Sequence, residues 1–250
     1  MATPATRDST ARIHRDLRAG ILMGEIPAGS SLAQAHVAQR FGVSRGPVRE
    51  AFRLLQREGL IDAEVNRRAR VASFSAEEVE QLYSLRVVTE SLAIGTSVPR
   101  FTDEDLAGLG RLLDAVDAVP VDDLRAFERA HLEFHQGCLR HGGERTLGWI
   151  EQWSEHTERY RRVYVTGEPQ VRALGAVEHR EILAACLARD PTAAASLVAR
   201  HLARAALTMM AMMSPEYDPA LIRAALRQVT AGTVEAELAR PSRRRHRPAS

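Results

Sequence analysis

Four histidines in the second half of the chain have the spacing of residues that bind one metal ion together. His131 and His135 lie four residues apart, so on a helix they share one face, and the other residues of that face are apolar. His179 and His201 fall in the apolar stripes of two later helical segments. We therefore predict that three helices direct four imidazoles into one core, where a shared metal ion would satisfy their ring nitrogens.

A hydrogen-bonded core histidine is the simpler explanation for any single member of this set. Such a residue needs only a donor or an acceptor at each ring nitrogen, and a protein core often supplies both. For the four together we favour metal binding, and core hydrogen bonding stays as the alternative.

A second group of chemically important residues lies near the amino terminus. Residues 32–58 predict two short amphipathic helices joined by a glycine-containing turn. On the second helix Arg45, Arg49 and Arg53 recur every four residues and so line one exposed face, as in a helix that enters the DNA major groove. A solvated basic helix in an ordinary bundle is the alternative. The predicted DNA-contacting residues of this segment are Ser44, also expected to cap the helix, Arg45, Gly46, Arg49 and Arg53.

A short hairpin is predicted directly after this segment. Residues 60–63 and 69–72 have the character of two strands around a basic tip that contains Arg67 and Arg68. Such a wing would place both arginines at the minor groove or the phosphate backbone.

Helical patterns account for most of the remaining sequence. The predicted helices span 8–23, 75–96, 102–119, 121–141, 144–166, 169–189, 191–213 and 218–238. Short connections between helices of this length indicate an antiparallel bundle. The predicted fold is mainly α: a winged helix-turn-helix domain at 1–74, an antiparallel all-helical bundle of six or seven helices at 75–239, and a disordered basic tail at 240–250.

The charge distribution separates the same regions. The chain has 250 residues and a net charge of +2, and all 34 of its basic residues other than histidine are arginine. Residues 1–74 hold 12 arginines and 7 acidic residues, whereas residues 75–239 hold 17 arginines and 25 acidic residues. A basic amino-terminal region followed by an acidic region indicates that only the first domain binds a polyanion.

The two cysteines, Cys138 and Cys186, provide no disulfide framework, which fits a reducing compartment. No apolar run reaches the roughly 18 residues of a membrane span, and the amino terminus does not have the apolar core of a signal peptide. We therefore expect a cytoplasmic protein with no membrane partner.

The stretch GVSRGPVREA, with the flanking LRAGILMGEIPAGSSL and FRLLQREGLI, resembles the winged helix-turn-helix of the GntR family of bacterial transcription regulators. The later stretches YSLRVVTESLA, HLEFHQGCL and VEHREILAACLARDPTAAASLVARHL resemble its FadR-type (FCD) ligand-binding domain. The resemblance implies a homodimer on a palindromic operator of double-stranded DNA, and a helical domain that senses a small organic acid. Ala35-His36 and Arg68 depart from the usual family pattern and suggest a different operator.

The resemblance also implies a ligand set. In the metal-binding members of the family, an Asp and a His four residues apart join two later histidines. His135, His179 and His201 match this pattern, and His131 stands where the Asp would be. The site loses one negative charge, which shifts its preference to a divalent transition metal, zinc first, with nickel or copper as alternatives. A site in which His131 does not ligate also stays open.

Three further residues are predicted to meet the effector. An arginine at the position of Arg86 often faces the effector in the family, and an ion pair between Arg86 and Glu90 is the alternative. His156 shares a helix face with aromatic residues and would line a pocket or belong to the core. Arg159 lies at the edge of that face, where it could meet an anion.

We therefore predict a ligand-responsive, sequence-specific DNA-binding transcriptional repressor that is not an enzyme. A metal-dependent enzyme on a helical bundle is one alternative, but a di-iron site needs a second Glu-x-x-His, which the sequence does not contain. In HLEFH, Glu133 is one position too late for a zinc-protease motif. The other alternative, an architectural DNA-binding protein without a sensor, does not explain an interior lined with histidine.

Overall fold

The computed structural model describes residues 4–64, 68–164 and 169–239. The chain divides into two compact units at the boundary between Ser75 and Ala76. Arg67 and the predicted tail 240–250 lie outside the described residues.

The amino-terminal unit is a small helical domain with a three-stranded sheet. Its elements are α1 (Pro4–Leu22), β1 (Ser31–Ala33), α2 (Gln34–Phe41), α3 (Arg45–Arg57), β2 (Ile61–Glu64) and β3 (Arg68–Val71). Apolar residues of α1, α2, α3, β2 and β3 form one buried core, which includes Ile13, Val37 and Phe52. Between α2 and α3 the backbone of Gly42 has φ 65°, a left-handed conformation that glycine adopts without steric cost.

The sheet has the strand order β1-β3-β2, and both pairs are antiparallel. Strands β2 and β3 are the predicted hairpin, with Ile61 opposite Val71. Strand β1 is a correction to the sequence analysis, which started the first helix of the pair at Leu32. The backbone of residues 31–33 instead pairs with β3, Ser31 opposite Arg70, and α2 begins only at Gln34.

A second correction concerns Ser44. It occupies the N-cap position of α3 with extended backbone dihedrals, but its side chain makes no capping hydrogen bond. The predicted location of the helix start is therefore correct, and the predicted capping bond is wrong.

The carboxy-terminal unit is entirely helical within the described residues. Seven α-helices and one 3₁₀ turn (Val98–Arg100) form it: α4 (Ala76–Ser97), α5 (Asp103–Asp117), α6 (Leu124–Leu139), α7 (Glu144–Tyr164), α8 (Pro169–Leu187), α9 (Pro191–Met213) and α10 (Ala220–Ala239). Helix α4 packs along α9 and also contacts α7 and α10, while α5 packs on α6 and α8 on α9. The predicted winged helix-turn-helix followed by a helical bundle is thus confirmed.

Side-chain caps determine where several of these helices begin. Thr102 and Asp105 form a complete capping box at the start of α5. Helix α6 begins at Leu124, three residues later than predicted, because the Asp123 side chain accepts a hydrogen bond from the backbone N–H of Ala126. The first of its two histidines, His131, therefore lies about two turns after the start of the helix.

Within the described ranges, no helix combines the length and the apolar character that crossing a bilayer requires.

Candidate metal centre and nucleic-acid interface

Three helices bring the four predicted histidines together in the carboxy-terminal unit. His131 and His135 lie on α6, His179 on α8 and His201 on α9. One ring nitrogen of each lies within 4.8 Å of the corresponding nitrogen of every other member. All four side chains are buried, with exposed fractions between 2% and 8%. We call this group the histidine cluster.

The apolar faces of the three helices position these rings. On α6, Phe134 and Cys138 are buried on the face that carries both histidines. The Phe134 ring lies 5.3 Å from the ring of His179 and 5.7 Å from that of His135, measured between centroids. On α8 and α9, Ile182 and Leu202 are buried beside the histidines of their helices. Burial of the apolar neighbours therefore directs the imidazoles inward.

The surroundings keep the metal-free rings uncharged. Burial, followed by the nearby Arg161 guanidinium, holds the pKa of His131 well below its usual value of 6.5. Burial and the neighbouring histidines do the same for the pKa of His135, and burial with His201 for that of His179. Neutral imidazole is the form that binds a metal, so metal binding at neutral pH requires no net loss of protons from these rings.

The ring nitrogens cannot satisfy one another by hydrogen bonding alone. Nε2 of His135 lies 3.2 Å from Nε2 of His131 and 3.3 Å from Nε2 of His179. Since one neutral nitrogen has a single proton or a single lone pair, it cannot pair fully with both neighbours. In addition, Nδ1 of His179 is buried without a hydrogen-bond partner among the described residues.

Two of the nitrogen–nitrogen separations match those of a metal site instead. With Zn–N bonds of about 2.0–2.1 Å, the nitrogens of a tetrahedral zinc site lie about 3.3–3.4 Å apart. The two Nε2 distances at His135 are close to this value. Four imidazoles supply a donor set that suits zinc, copper and nickel.

Glu178 supports the cluster from outside, a role that the sequence analysis missed. Its Oε2 lies 2.7 Å from Nδ1 of His201, and its carboxylate also accepts two hydrogen bonds from Arg204. Burial disfavours the ionised carboxyl, but the bonds from His201 and Arg204 outweigh it, so the pKa of Glu178 is lowered. The carboxylate therefore holds the proton of His201 on Nδ1 and leaves Nε2 free for a metal.

A cavity of about 290 Å³ borders the histidine cluster. Its wall contains His131, His179 and His201 together with apolar side chains and three arginines, Arg161, Arg172 and Arg204. This combination suits a small anionic ligand with an apolar part.

The three cavity arginines were not among the predicted site residues. Arg161 reaches Nδ1 of His131 at 2.9 Å and Oε2 of Glu158 at 3.2 Å through Nη1. Arg172 stacks over the ring of Phe127 at 4.1 Å and donates to backbone carbonyls of residues 119–121. On their own helices these residues look like any surface arginine, and no sequence signal marks them.

The three predicted effector residues are placed elsewhere. Arg86 is buried and donates to Glu90 and Thr157, both at 2.6 Å, so the alternative ion pair forms. Arg159 is 3.4 Å from Glu78, and His156 is buried. The described lining of the 290 Å³ cavity includes none of the three. Contact between these residues and an effector stays a prediction.

The predicted DNA-contacting residues that the structure describes all belong to the amino-terminal unit. Arg45 and Arg49 are exposed on α3, as is Arg53, which pairs with Glu50 at 2.8 Å. Ser44 is exposed at the N-cap and Gly46 is half-buried in the first turn. Arg68 is exposed at the start of β3. The arginines of α3 are thus free of the core and accessible to a polyanion.

Two protein families match this sequence. The family described as bacterial regulatory proteins, gntR family, matches residues 9–71, and the FCD domain matches residues 81–204.

Relatives match over most of their length. An HTH-type transcriptional regulator in an unstable DNA locus of Streptomyces ambofaciens is 30% identical over 207 residues, which cover 81% of this chain and 85% of the relative. The HTH-type transcriptional repressor GlaR of Escherichia coli is 27% identical over 76% of this chain and 90% of the relative. A solved structure of a GntR regulator from Rhodococcus sp. RHA1 superimposes with a TM-score of 0.67 at 24% identity, covering 84% of this chain and 99% of that one. That last likeness concerns the fold alone.

Proposed function

The chain belongs to the GntR family of bacterial regulatory proteins and is a DNA-binding transcriptional regulator with an FCD domain, and we propose that it is a repressor that senses a small carboxylate beside a metal ion held by the histidine cluster. The relatives named above are transcription regulators, which confirms the prediction that the chain is not an enzyme.

One observation carries the sensing part of this proposal. Four buried imidazoles have ligand nitrogens within 4.8 Å of one another, and three of these imidazoles line a cavity together with three arginines. Four-imidazole coordination accounts for the close approach of Nε2 atoms that cannot all be paired by hydrogen bonds, and the arginines account for affinity toward an anion. A purely structural bundle would fill this interior with aliphatic side chains.

His131, His135, His179 and His201 would hold the metal, with zinc as the first choice and nickel or copper as alternatives. When bound, the ion would offer Lewis-acid attraction to a carboxylate in the cavity. Arg161, Arg172 and Arg204 would pair with the same anion from the cavity wall. Arg86, Arg159 and His156 stay candidates for further effector contacts, through a different part of the bundle.

At the DNA, Arg45 and Arg49 would anchor α3 in the major groove, with Ser44, Gly46 and Arg53 beside the backbone. Arg67 and Arg68 of the wing would contact the minor groove or the phosphates. Neutralisation of phosphates by these arginines would supply most of the affinity, so binding should weaken steeply as salt increases.

A homodimer on a palindromic operator is part of the proposal. Leu85, Val88 and Leu92 recur on one face of α4 with exposed fractions of 47%, 46% and 62%. An apolar stripe of this kind is typical of an association surface. Leu92→Glu should therefore convert a dimer into a monomer in size-exclusion chromatography with light scattering. Leu187→Glu, at an exposed leucine on α8, is the matched control and should leave the mass unchanged.

Signal transfer would run through α4, which begins directly after the boundary between the two units. We propose that the effector biases the orientation of this helix and so changes the half-site spacing that the dimer spans. Release of DNA in the cytoplasm is the expected response.

The experiment starts from an operator selected from random DNA, with binding followed by fluorescence anisotropy. Zinc-loaded protein is titrated with a panel of mono- and dicarboxylates, and at least one should weaken operator binding. The same acid should have little effect on protein treated with a chelator. If no acid in the panel alters operator binding or thermal stability, the sensing function is rejected while DNA binding stands.

A further inference from the structure

Arg161 contacts the histidine cluster from a fourth helix, α7. Its Nη1 lies 2.9 Å from Nδ1 of His131, and both side chains are buried, each with an exposed fraction of 8%. A guanidinium has only donors, so Nδ1 of His131 accepts this hydrogen bond. A neutral ring then carries its single proton on Nε2, the nitrogen that faces His135 at 3.2 Å.

This tautomer cannot bind a metal ion. Ligation through Nε2 requires a lone pair there, which moves the ring proton to Nδ1 without changing the number of protons. The N–H of His131 would then face the N–H of Arg161 across the same short distance. Ligation through Nδ1 fails as well, because Arg161 already occupies that lone pair.

We propose that Arg161 is a latch that keeps His131 from ligating, so that four-histidine coordination requires its guanidinium to leave Nδ1. The proposal rests on the metal site proposed above and assigns Arg161 a positioning role within it. Glu158, 3.2 Å from Nη1 of Arg161, remains available as a partner after release. Since Arg161 also lines the 290 Å³ cavity, its release leaves a cation beside the space for the carboxylate.

With this hydrogen bond, the number of histidines that bind the metal depends on the position of Arg161. With His135, His179 and His201 alone, a metal has three protein ligands and an open position. Metal uptake with the fourth histidine has to overcome the hydrogen bond from Arg161. The affinity for the metal is therefore lower than four imidazoles would otherwise provide, and it depends on where the guanidinium lies.

The first test reads the tautomer directly in the wild-type protein. Side-chain ¹⁵N NMR of the histidines is recorded in chelator and again with one equivalent of Zn²⁺. We expect His131 to carry its proton on Nε2 in the metal-free form and on Nδ1 in the zinc-loaded form. A metal-free ring protonated on Nδ1, or a zinc-ligating His131 whose Nδ1 still accepts a hydrogen bond from Arg161, overturns the proposal. An Nε2–H ring that persists with stoichiometric zinc bound supports it, because His131 is then held out of a three-histidine site.

The second test is a double-mutant cycle on zinc affinity, measured by titration against a competing chelator. Arg161→Gln removes the blocking donor and supplies an acceptor for Nδ1–H, so zinc should bind about tenfold more tightly. In a His131→Leu background the same change should alter affinity less than twofold. Arg129→Gln, which removes an exposed arginine of α6 that lies outside the cavity wall, is the control and should leave zinc affinity unchanged.

The outcomes separate the two levels of inference. An equal gain from Arg161→Gln with and without His131 would indicate simple charge repulsion, and the latch is then wrong while the metal site stands. If wild type and all variants fail to bind zinc, the proposed metal site fails, and the latch with it.

Discussion

The two units of this protein present the side chains of their proposed sites in opposite ways. In the amino-terminal unit, Arg45 and Arg49 lie on the exposed face of the single helix α3, one turn apart. In the carboxy-terminal unit, the histidine cluster is buried and drawn from α6, α8 and α9. A polyanion is large and must be met at the surface, whereas a small ion is bound by enclosing it. The exposed arginines need only one helix, whereas the buried histidine cluster needs the packed bundle.

The largest expected effect tests the enclosed site. For wild-type protein, free Zn²⁺ at 1,000 times its Kd should raise the free energy of unfolding by about 4 kcal/mol through mass action. His179→Ala should remove most of this gain, because the metal loses a ligand from α8. Denaturant unfolding with and without zinc measures the difference. His36→Ala, at an exposed histidine of α2, is the control and should keep the full gain; equal stabilisation of the His179 variant would remove this residue from the site.

The second-largest expected effect is the loss of operator affinity when an exposed arginine of α3 is replaced. Arg49→Ala should weaken operator binding by about 1–3 kcal/mol, because the exposed side chain is proposed to contact DNA. Zinc affinity should stay unchanged, because Arg49 is not part of the histidine cluster. Anisotropy titrations at several salt concentrations measure both the affinity and its salt dependence. The matched control is Arg111→Ala on the exposed face of α5, where loss of the same charge should not matter. Wild-type operator affinity after the Arg49 change would defeat the docking arrangement of α3.

The third prediction concerns Glu178, which supports the histidine cluster without being one of its proposed ligands. Glu178→Gln should weaken zinc binding about tenfold, because Nδ1–H of His201 then donates to a neutral amide and the ring becomes a poorer ligand. Binding of the effector-free protein to its operator should be unaffected. Glu181→Gln, one helical turn away and exposed, serves as the control. If the two variants bound zinc with equal affinity, Glu178 would have no role at the metal site and would serve only as the ion-pair partner of Arg204.

The smallest expected effects are changes in stability when the N-cap residue of one helix in each unit is replaced. Thr102→Ala should destabilise the carboxy-terminal unit by about 1 kcal/mol, because it breaks the capping box with Asp105. Ser44→Ala should change the stability of the amino-terminal unit by less than about 0.5 kcal/mol, because the Ser44 side chain makes no capping bond. Thermal unfolding of the two variants measures this difference. A loss of 1 kcal/mol at Ser44 would mean that its hydroxyl stabilises α3 after all.

Local patterns predicted most of the fold. The spacing of apolar residues placed α3 and the helices of the bundle, because a helix repeats every 3.6 residues and one face must be buried. Strand β1 was missed, since its three residues are stabilised only by pairing with β3. The paired residues lie 35 to 39 positions apart in the sequence, from Ala33 with Arg68 to Ser31 with Arg70. A pairing of that separation leaves no local pattern.

Within the site, the histidines could be found from the sequence and their partners could not. His131 and His135 are recognisable because their spacing puts them on the apolar face of one helix. Arg161 reaches His131 from a residue 30 positions away, and Glu178 reaches His201 across 23 positions. Both partners are charged residues on half-exposed helices, where sequence alone indicates a solvated side chain.

The amino-acid sequence by itself indicated the family, through motifs such as GVSRGPVREA, and the two-unit organisation, through the distribution of charge. It also indicated the arginine-bearing helix and the inward direction of four imidazoles, because these depend on periodicity within single helices. Only the tertiary structure decided which nitrogens meet, which carboxylate orients His201, that Arg86 pairs with Glu90 and Thr157, and that Arg161 holds His131. These depend on how α6, α7, α8 and α9 pack against one another, and the ångström-scale distances that govern hydrogen bonds and metal ligation arise only from that packing.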